Sequence, residues 1–213
     1  VARMAKNDKY VSGDNYTFLN TDDGKYIAAL SDGMGTGHKA CMQSKATVSL
    51  IEQFMESGFD KDTTVKLINS ILVLRSTDDS FATIDISVID LYEGEVEFCK
   101  VGAAPTFIKR EDYVEVIKAA TLPAGILSEV EVELIHKKVN NGDFVIMLSD
   151  GIIDSFKHCQ DSVKEVQNLL QNMDTKNPQK MADDLLNAAL SHCPNNEPED
   201  DMMVMVSKIW RAR

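Results

Sequence analysis

The same short pattern occurs twice in this chain. An apolar run, Tyr26-Ile27-Ala28-Ala29-Leu30, ends on Ser31-Asp32-Gly33, and a second, Phe144-Val145-Ile146-Met147-Leu148, ends on Ser149-Asp150-Gly151. A continuous apolar run of this length, bounded by a turn signal, reads as a strand buried on both faces. Each strand then delivers one carboxylate to the edge of a sheet, with a glycine directly behind it. A third acidic cluster, Glu199-Asp200-Asp201, precedes another apolar run, Met202-Met203-Val204-Met205-Val206. Any fold for this chain must bury three such strands and still leave their aspartates open. Asp-Gly is also a commonplace turn, and turn chemistry alone explains either aspartate taken singly. Converging carboxylates, by contrast, repel unless they are protonated or bound to cations. An all-oxygen ligand set favours hard ions such as Mg²⁺ or Mn²⁺.

The intervening chain follows from periodicity. Tyr10 to Leu19 and Tyr26 to Ser31 read as an opening hairpin around the Asn20–Gly24 turn, after a loose lead-in over residues 1–9. Val48, Ile51, Phe54 and Met55 recur at helical spacing up to a stop at Gly58. A second helix is expected over Thr63–Leu74 with Asp62 as N-cap, and Thr77–Ser80 breaks the pattern. Strands are expected over Phe81–Leu91, Val96–Val101, Thr106–Lys109, Val114–Ile117, Val130–Ile135 and Phe144–Leu148. Helices follow from Asp161 to Leu170 and after Asn177-Pro178, where an N-cap precedes a first-turn proline. Met202–Ile209 closes the chain as a strand. Short connections between strands predict antiparallel sheets, so the expected class is α+β, with two antiparallel sheets flanked by helices in a single domain over residues 1–213.

Charge and composition narrow the partners. The 213 residues carry 22 basic and 34 acidic side chains, a formal net charge of -12, which opposes binding to a phosphate backbone and argues against nucleic acid. Four scattered cysteines, Cys41, Cys99, Cys159 and Cys193, show no metal-type pairing and read as reduced thiols of a cytosolic protein. The chain opens on Val1 with no signal peptide and no 18-residue apolar span. It is therefore expected to be a fragment whose missing part anchors it elsewhere.

Taken together, Ser31-Asp32-Gly33-Met34-Gly35-Thr36-Gly37, Ser149-Asp150-Gly151 and Asp200-Asp201-Met202 resemble the motifs of the metal-dependent type-2C (PPM) serine/threonine protein phosphatases. Within them the resemblance is strongest to the stage II sporulation protein E phosphatase domains. It extends through Val11–Tyr16, Ile68–Arg75, Thr83–Asp90, Lys100–Arg110 and Leu122–Ile126, nearly the whole chain.

The resemblance implies a four-layer α-β-β-α sandwich and a two-ion centre. Asp32 would bridge two Mn²⁺ or Mg²⁺ ions, with Gly33 lending its carbonyl to one of them. Asp150 and Asp200 would hold the second ion, and Asp14 would act on the side of the first through water. The nucleophile would be a metal-bridging hydroxide attacking a protein phosphoserine in line. The implied substrate is a phosphorylated anti-sigma-factor antagonist in the control of sporulation, with a homo-oligomer as a further partner expectation. Other readings of the same residues are a two-metal phosphomonoesterase for small esters and a non-catalytic phosphatase-fold binding module.

Two positions depart from the pattern. Met34 stands where many relatives carry a histidine that protonates the leaving serine, and Met203 where they carry threonine. His38, His136, His158 and His192 read as isolated surface residues, Met202, Met203 and Met205 as core filler, and Lys39, Lys45, Arg75 and Lys109 as solvated. The helices of residues 38–75 leave directly from the Asp32 loop, where a shift could gate activity.

Overall fold

A computed structural model describes residues 1–6, 11–21, 23–35, 37–75 and 81–210. Thr36, the Thr77–Ser80 break and the Arg75 side chain lie outside the described parts, as does the Tyr10 start of the opening strand. The chain divides into two compact units. One comprises Val1–Ser12, Ala104–Lys118 and Asn140–Arg213, the other Gly13–Ala103 and Ala119–Val139.

The second unit is built on the sheet order β2-β3-β4-β5-β8, antiparallel throughout: β2 (Asp14–Asn20), β3 (Lys25–Asp32), β4 (Ile84–Asp90), β5 (Glu95–Val101) and β8 (Glu133–Lys138). Helices α1 (Gly37–Glu56) and α2 (Lys61–Arg75) join β3 to β4. The sequence alternation sorts the two faces. Leu19, Ile27, Ala29, Ile84, Ile86, Cys99 and Val101 pack with Ile51 of α1 and with Val65, Ile68 and Leu72 of α2 in one core. Gly58, at φ +83°, ends α1 as expected, since a left-handed residue there lets Phe59 N–H reach back to the Phe54 carbonyl at 3.0 Å.

Two local expectations need correction. Asp62 is not the N-cap of α2: the helix starts at Lys61, and Asp60 accepts the Thr63 N–H at 3.0 Å, while Asp62 lies in the first turn and pairs with Lys66. Strand β8 starts three residues later than Val130. Val130 and Val132 do pack on the core, so their alternation reported burial rather than ladder pairing, which begins at Glu133 opposite Lys100.

The first unit carries the sheet β1-β10-β9-β6-β7, from β1 (Ala2–Met4), β6 (Thr106–Lys109), β7 (Val114–Ile117), β9 (Phe144–Leu148) and β10 (Met202–Lys208). Its neighbours are also antiparallel. Helices α3 (Asp150–Asp154), α4 (Ser162–Asn172) and α5 (Pro178–His192) complete it. Phe107, Ile146, Leu148, Met202 and Val204 share a core with Ile152, Phe156, Val166, Leu170 and Leu185. Asn177 caps α5 by accepting from the Gln179 and Lys180 N–H groups, with Pro178 behind it, and Asp161 caps α4. Each such cap stabilises by about 1 kcal/mol.

Here too the structure corrects the reading. Residues 2–4 are a strand rather than a lead-in, paired with Met202–Val204. The five-residue α3 was not foreseen. Lys109 is not solvated: it is 8% exposed, with Nζ 3.5 Å from the Gln171 carbonyl at the end of α4, and burial pulls its pKa down. The four cysteines are free thiols, and no helix among the described residues is long and apolar enough to cross a membrane.

Candidate functional site

The hairpin register of β2 and β3 sets Asp14 directly opposite Asp32. Directly opposed residues project from the same face of a sheet, so two carboxylates sit side by side. Asp14 is 1% exposed and Asp32 half-buried. Adjacent carboxylates out of bulk water raise one another's proton affinity or take up a cation between them.

The backbone around Asp32 is fixed on both sides. Its N–H donates to Thr83 Oγ1 at 2.8 Å and its carbonyl accepts the Thr83 N–H at 2.8 Å. Gly33 N–H donates to the Gly13 carbonyl at 3.1 Å, and Met34 N–H to the Phe81 carbonyl at 3.0 Å. Glycine is required at 33 by proximity: a Cβ there would run into the carbonyl oxygen of Ala40 in α1. Gly35 and Gly37, at φ +98° and +74°, take left-handed conformations open to glycine. Asn15 pins the start of α1 by donating to Ser44 Oγ at 2.8 Å. Met34 lies exposed on this loop, at 46%.

In the other unit, β9 passes through buried Ser149 into α3, whose first residue is the exposed Asp150. Ser149 ties this edge to the start of β10: its Oγ accepts the Met203 N–H at 2.8 Å and donates to the Asp201 carbonyl at 3.4 Å. Gly151 is again held by proximity, since a Cβ would strike the Asp201 carbonyl and would lie 3.4 Å from Asp200 Cβ. Asp150 and Asp200 are thereby brought to one edge. Asp201 is buried and accepts the Lys6 N–H at 2.8 Å, whereas Asp200 stays half-buried and accepts the Asp201 N–H at 2.8 Å. Of the acidic pair, Asp200 is the one left available. An ion pair from Lys157 to Glu199 fastens the loop just before it and holds the Glu199 carboxyl below its usual range.

The residues named from sequence therefore fall into two sets, Asp14, Asp32 and Gly33 in one unit and Asp150 and Asp200 in the other. Among the described residues no group of three His, Cys, Asp or Glu side chains is placed to hold a metal by itself. Each set offers oxygen donors only, the chemistry that suits Mg²⁺ or Mn²⁺. Thr83 was missed as the strap on Asp32, although a threonine opening a buried strand was its signal. Asp85 and Lys100 were also missed. They form a 2.5 Å ion pair, both 0% exposed, and burial depresses the Lys100 pKa against the opposing pull of Asp85. A charge flanked by apolar neighbours, Asp85 between Ile84 and Ile86 and Lys100 between Cys99 and Val101, was the available sign.

The family model described as Stage II sporulation protein E (SpoIIE) matches residues 22–210. Stage II sporulation protein E of Bacillus subtilis (strain 168) is 41% identical over 208 residues, 98% of this chain and 25% of its own length. The chain belongs to the stage II sporulation protein E family. It spans about a quarter of that relative. A solved B. subtilis SpoIIE structure, containing the PP2C phosphatase domain and a fragment of the regulatory domain, superposes with TM-score 0.89 at 41% identity. The match covers 98% of this chain and 61% of that one. A manganese-presoaked structure of the B. subtilis SpoIIE phosphatase domain matches with TM-score 0.60 at 36% identity, covering 100% of this chain and 94% of that one. The expected α+β class with two antiparallel sheets is borne out, and the part of SpoIIE that this chain matches is its PP2C phosphatase domain.

Proposed function

We propose that residues 1–213 act as one catalytic domain that hydrolyses phosphoserine on a protein. The residues that would hold two divalent cations, Mn²⁺ or Mg²⁺, are Asp14, Asp32 and Gly33, the last through its carbonyl, together with Asp150 and Asp200. The observation that carries this reading is the buried Asp14 set directly across from Asp32. When bound, such ions polarise phosphoryl oxygens and make water nucleophilic near neutral pH.

The chain's own residues supply position and charge. Thr83 and Gly13 fix the backbone that presents Asp32, and Ser149 fixes the edge that presents Asp150 and Asp200. Met34 has no proton to give, so protonation of the leaving serine is assigned to a group other than residue 34. The substrate proposed from the family resemblance is a phosphorylated anti-sigma-factor antagonist, met at a membrane surface to which a preceding region attaches the domain.

The test is turnover of a phosphoserine protein with and without Mn²⁺, beside Asp32→Asn. The reading expects activity only with metal. It also expects a loss of about 100-fold or more in the variant, at or beyond the top of the range seen for outer partners of a metal site. Metal-independent activity or an unaffected variant would sink it. Turnover of small esters but of no phosphoprotein would move the assignment to a general phosphomonoesterase.

A further inference from the structure

Two lysines lie on the core face of the first unit's sheet. Directly paired residues share a face, and side chains alternate along a strand. Lys109 of β6 is paired with Phe144 of β9, and Phe144 with Lys208 of β10, so the three form one row across adjacent strands. That row is on the side of Phe107, Ile146 and Leu148, the face that packs on α4 and α5. It closes the sheet at the end away from Asp150 and Asp200. Strand β9 runs from Phe144 to Leu148, a rise of about 13 Å, before the chain reaches Asp150.

The row lines a cleft of about 600 Å³, a size that suits a small ligand. The β6–β7 turn, the loop leading into β9 and the segment joining α4 to α5 form its other walls. The charges of these walls sort by depth. Arg110 and Asp143 pair at 2.7 Å, and Arg110 also reaches Glu115 at 3.2 Å, so these groups are engaged with one another. Glu111, Asp112, Asp174 and Lys176 are exposed at the rim, where solvent screens them.

Lys109 differs from all of these. It is 8% exposed, and among the described residues its ammonium makes one hydrogen bond, at 3.5 Å, and no ion pair within 4.0 Å. Asp174 attracts it from farther away, yet burial still pulls its pKa down. An ammonium brings three donors, and enclosing it so sparsely bonded is unfavourable unless another group completes it. Lys208 adds a second amine across the Phe144 ring. It donates to the Lys176 carbonyl at 2.9 Å, and its Nζ lies 5.4 Å from the ring centre.

We propose that this cleft binds a small organic anion, its carboxylate or phosphate on Lys109 and its uncharged body against Phe144 and Tyr113. Lys208 stands on the far side of the ring as the second cation. The exposed acids of the rim and the formal net charge of -12 oppose an extended polyanion, so a compact ligand with one charged group is the class that fits.

Thermal melts of the intact chain test this, with benzoate and phenyl phosphate as probes and sodium chloride at equal ionic strength as reference. EDTA is present throughout, so that no divalent ion holds phenyl phosphate elsewhere. A ligand at tenfold excess over its dissociation constant raises the melting temperature of a chain this size by about 3–5 °C. Such a rise is expected in the parent and is lost in Lys109→Met. A rise with benzoate alone assigns the site to carboxylates, with phenyl phosphate alone to phosphate monoesters, and with both to either head group. No rise with either probe overturns the proposal, as does a rise that Lys109→Met retains. A lysine that serves only to tie β6 to the end of α4 would give that second result, with a lower melting temperature in the variant. If Lys109→Met does not fold, Lys208→Met replaces it, and an undiminished rise there overturns the proposal.

Discussion

The two Ser-Asp-Gly segments share letters and differ in construction. In both, the serine is buried, the aspartate is the more open residue, and the glycine is pressed against a main-chain carbonyl. In the first, Asp32 ends a strand, and the exposed Met34 and Gly35 follow Gly33 before the helix that starts at Gly37. In the second, Asp150 is already the first residue of a helix. The carbonyl against Gly33 belongs to Ala40, in the second turn of a helix. The one against Gly151 belongs to Asp201, at the start of β10, which has strands on both sides. The first glycine is thus seated against a helix, and the second against a strand paired on both sides.

Adding one methyl group to each glycine breaks this comparison most sharply. Gly151→Ala forces the new Cβ against a carbonyl fixed by β1, β9 and Ser149, and is expected to cost about 3 kcal/mol, the upper end for overpacking. Gly33→Ala is expected to cost about 1–2 kcal/mol, because α1 is held by side-chain packing and the Asn15 contact rather than by strand ladders on both sides. Denaturant melts of the two variants give the order directly. Equal costs would mean that α1 is as firmly seated as β10.

The hydroxyls flanking the aspartates offer a gentler version. Ser149→Ala removes the acceptor for a buried Met203 N–H and a donor to Asp201, and is expected to cost about 2 kcal/mol. Thr83→Val removes one acceptor, that of the half-buried Asp32 N–H, while keeping the side-chain volume, for about 1 kcal/mol. Here function should separate from stability. Thr83→Val frees the main chain that presents Asp32 and should weaken Mn²⁺ binding more than its melting shift suggests, which titration of the folded variant reads.

What could be read in advance from the residues depended on how local the signal was. The apolar runs ending on Asp32 and Asp150 are strands because five consecutive buried residues leave little else, and Asn177-Pro178 marks a helix start by its own chemistry. Strand β1 was illegible because three residues become a strand only through Met202–Val204 at the far end of the chain. Helix α3 is too short to show a period. The Asp85–Lys100 pair needed the register of β4 against β5, which no single segment carries. The site follows the same rule. Its acidic residues were visible, and the resemblance already named Asp200 rather than Asp201, whereas the direct juxtaposition of Asp14 with Asp32 came from strand pairing.

The smallest expected change in stability is at Met34, and it asks which loop faces the reacting group. Its side chain is largely exposed and only its N–H is engaged, to Phe81, so Met34→His should alter stability by less than about 0.5 kcal/mol. An imidazole within reach of the leaving oxygen adds a group titrating near its ordinary value of about 6.5. The rate profile should then gain an inflection near that pH, with higher turnover below it, where the ring carries the proton it donates. The second segment has no comparable opening, because residue 152, the counterpart of Met34, is a fully buried isoleucine inside α3. An unchanged profile in Met34→His at unchanged stability would mean that the first loop presents Asp32 alone, and that the difference between the two segments is mechanical rather than chemical.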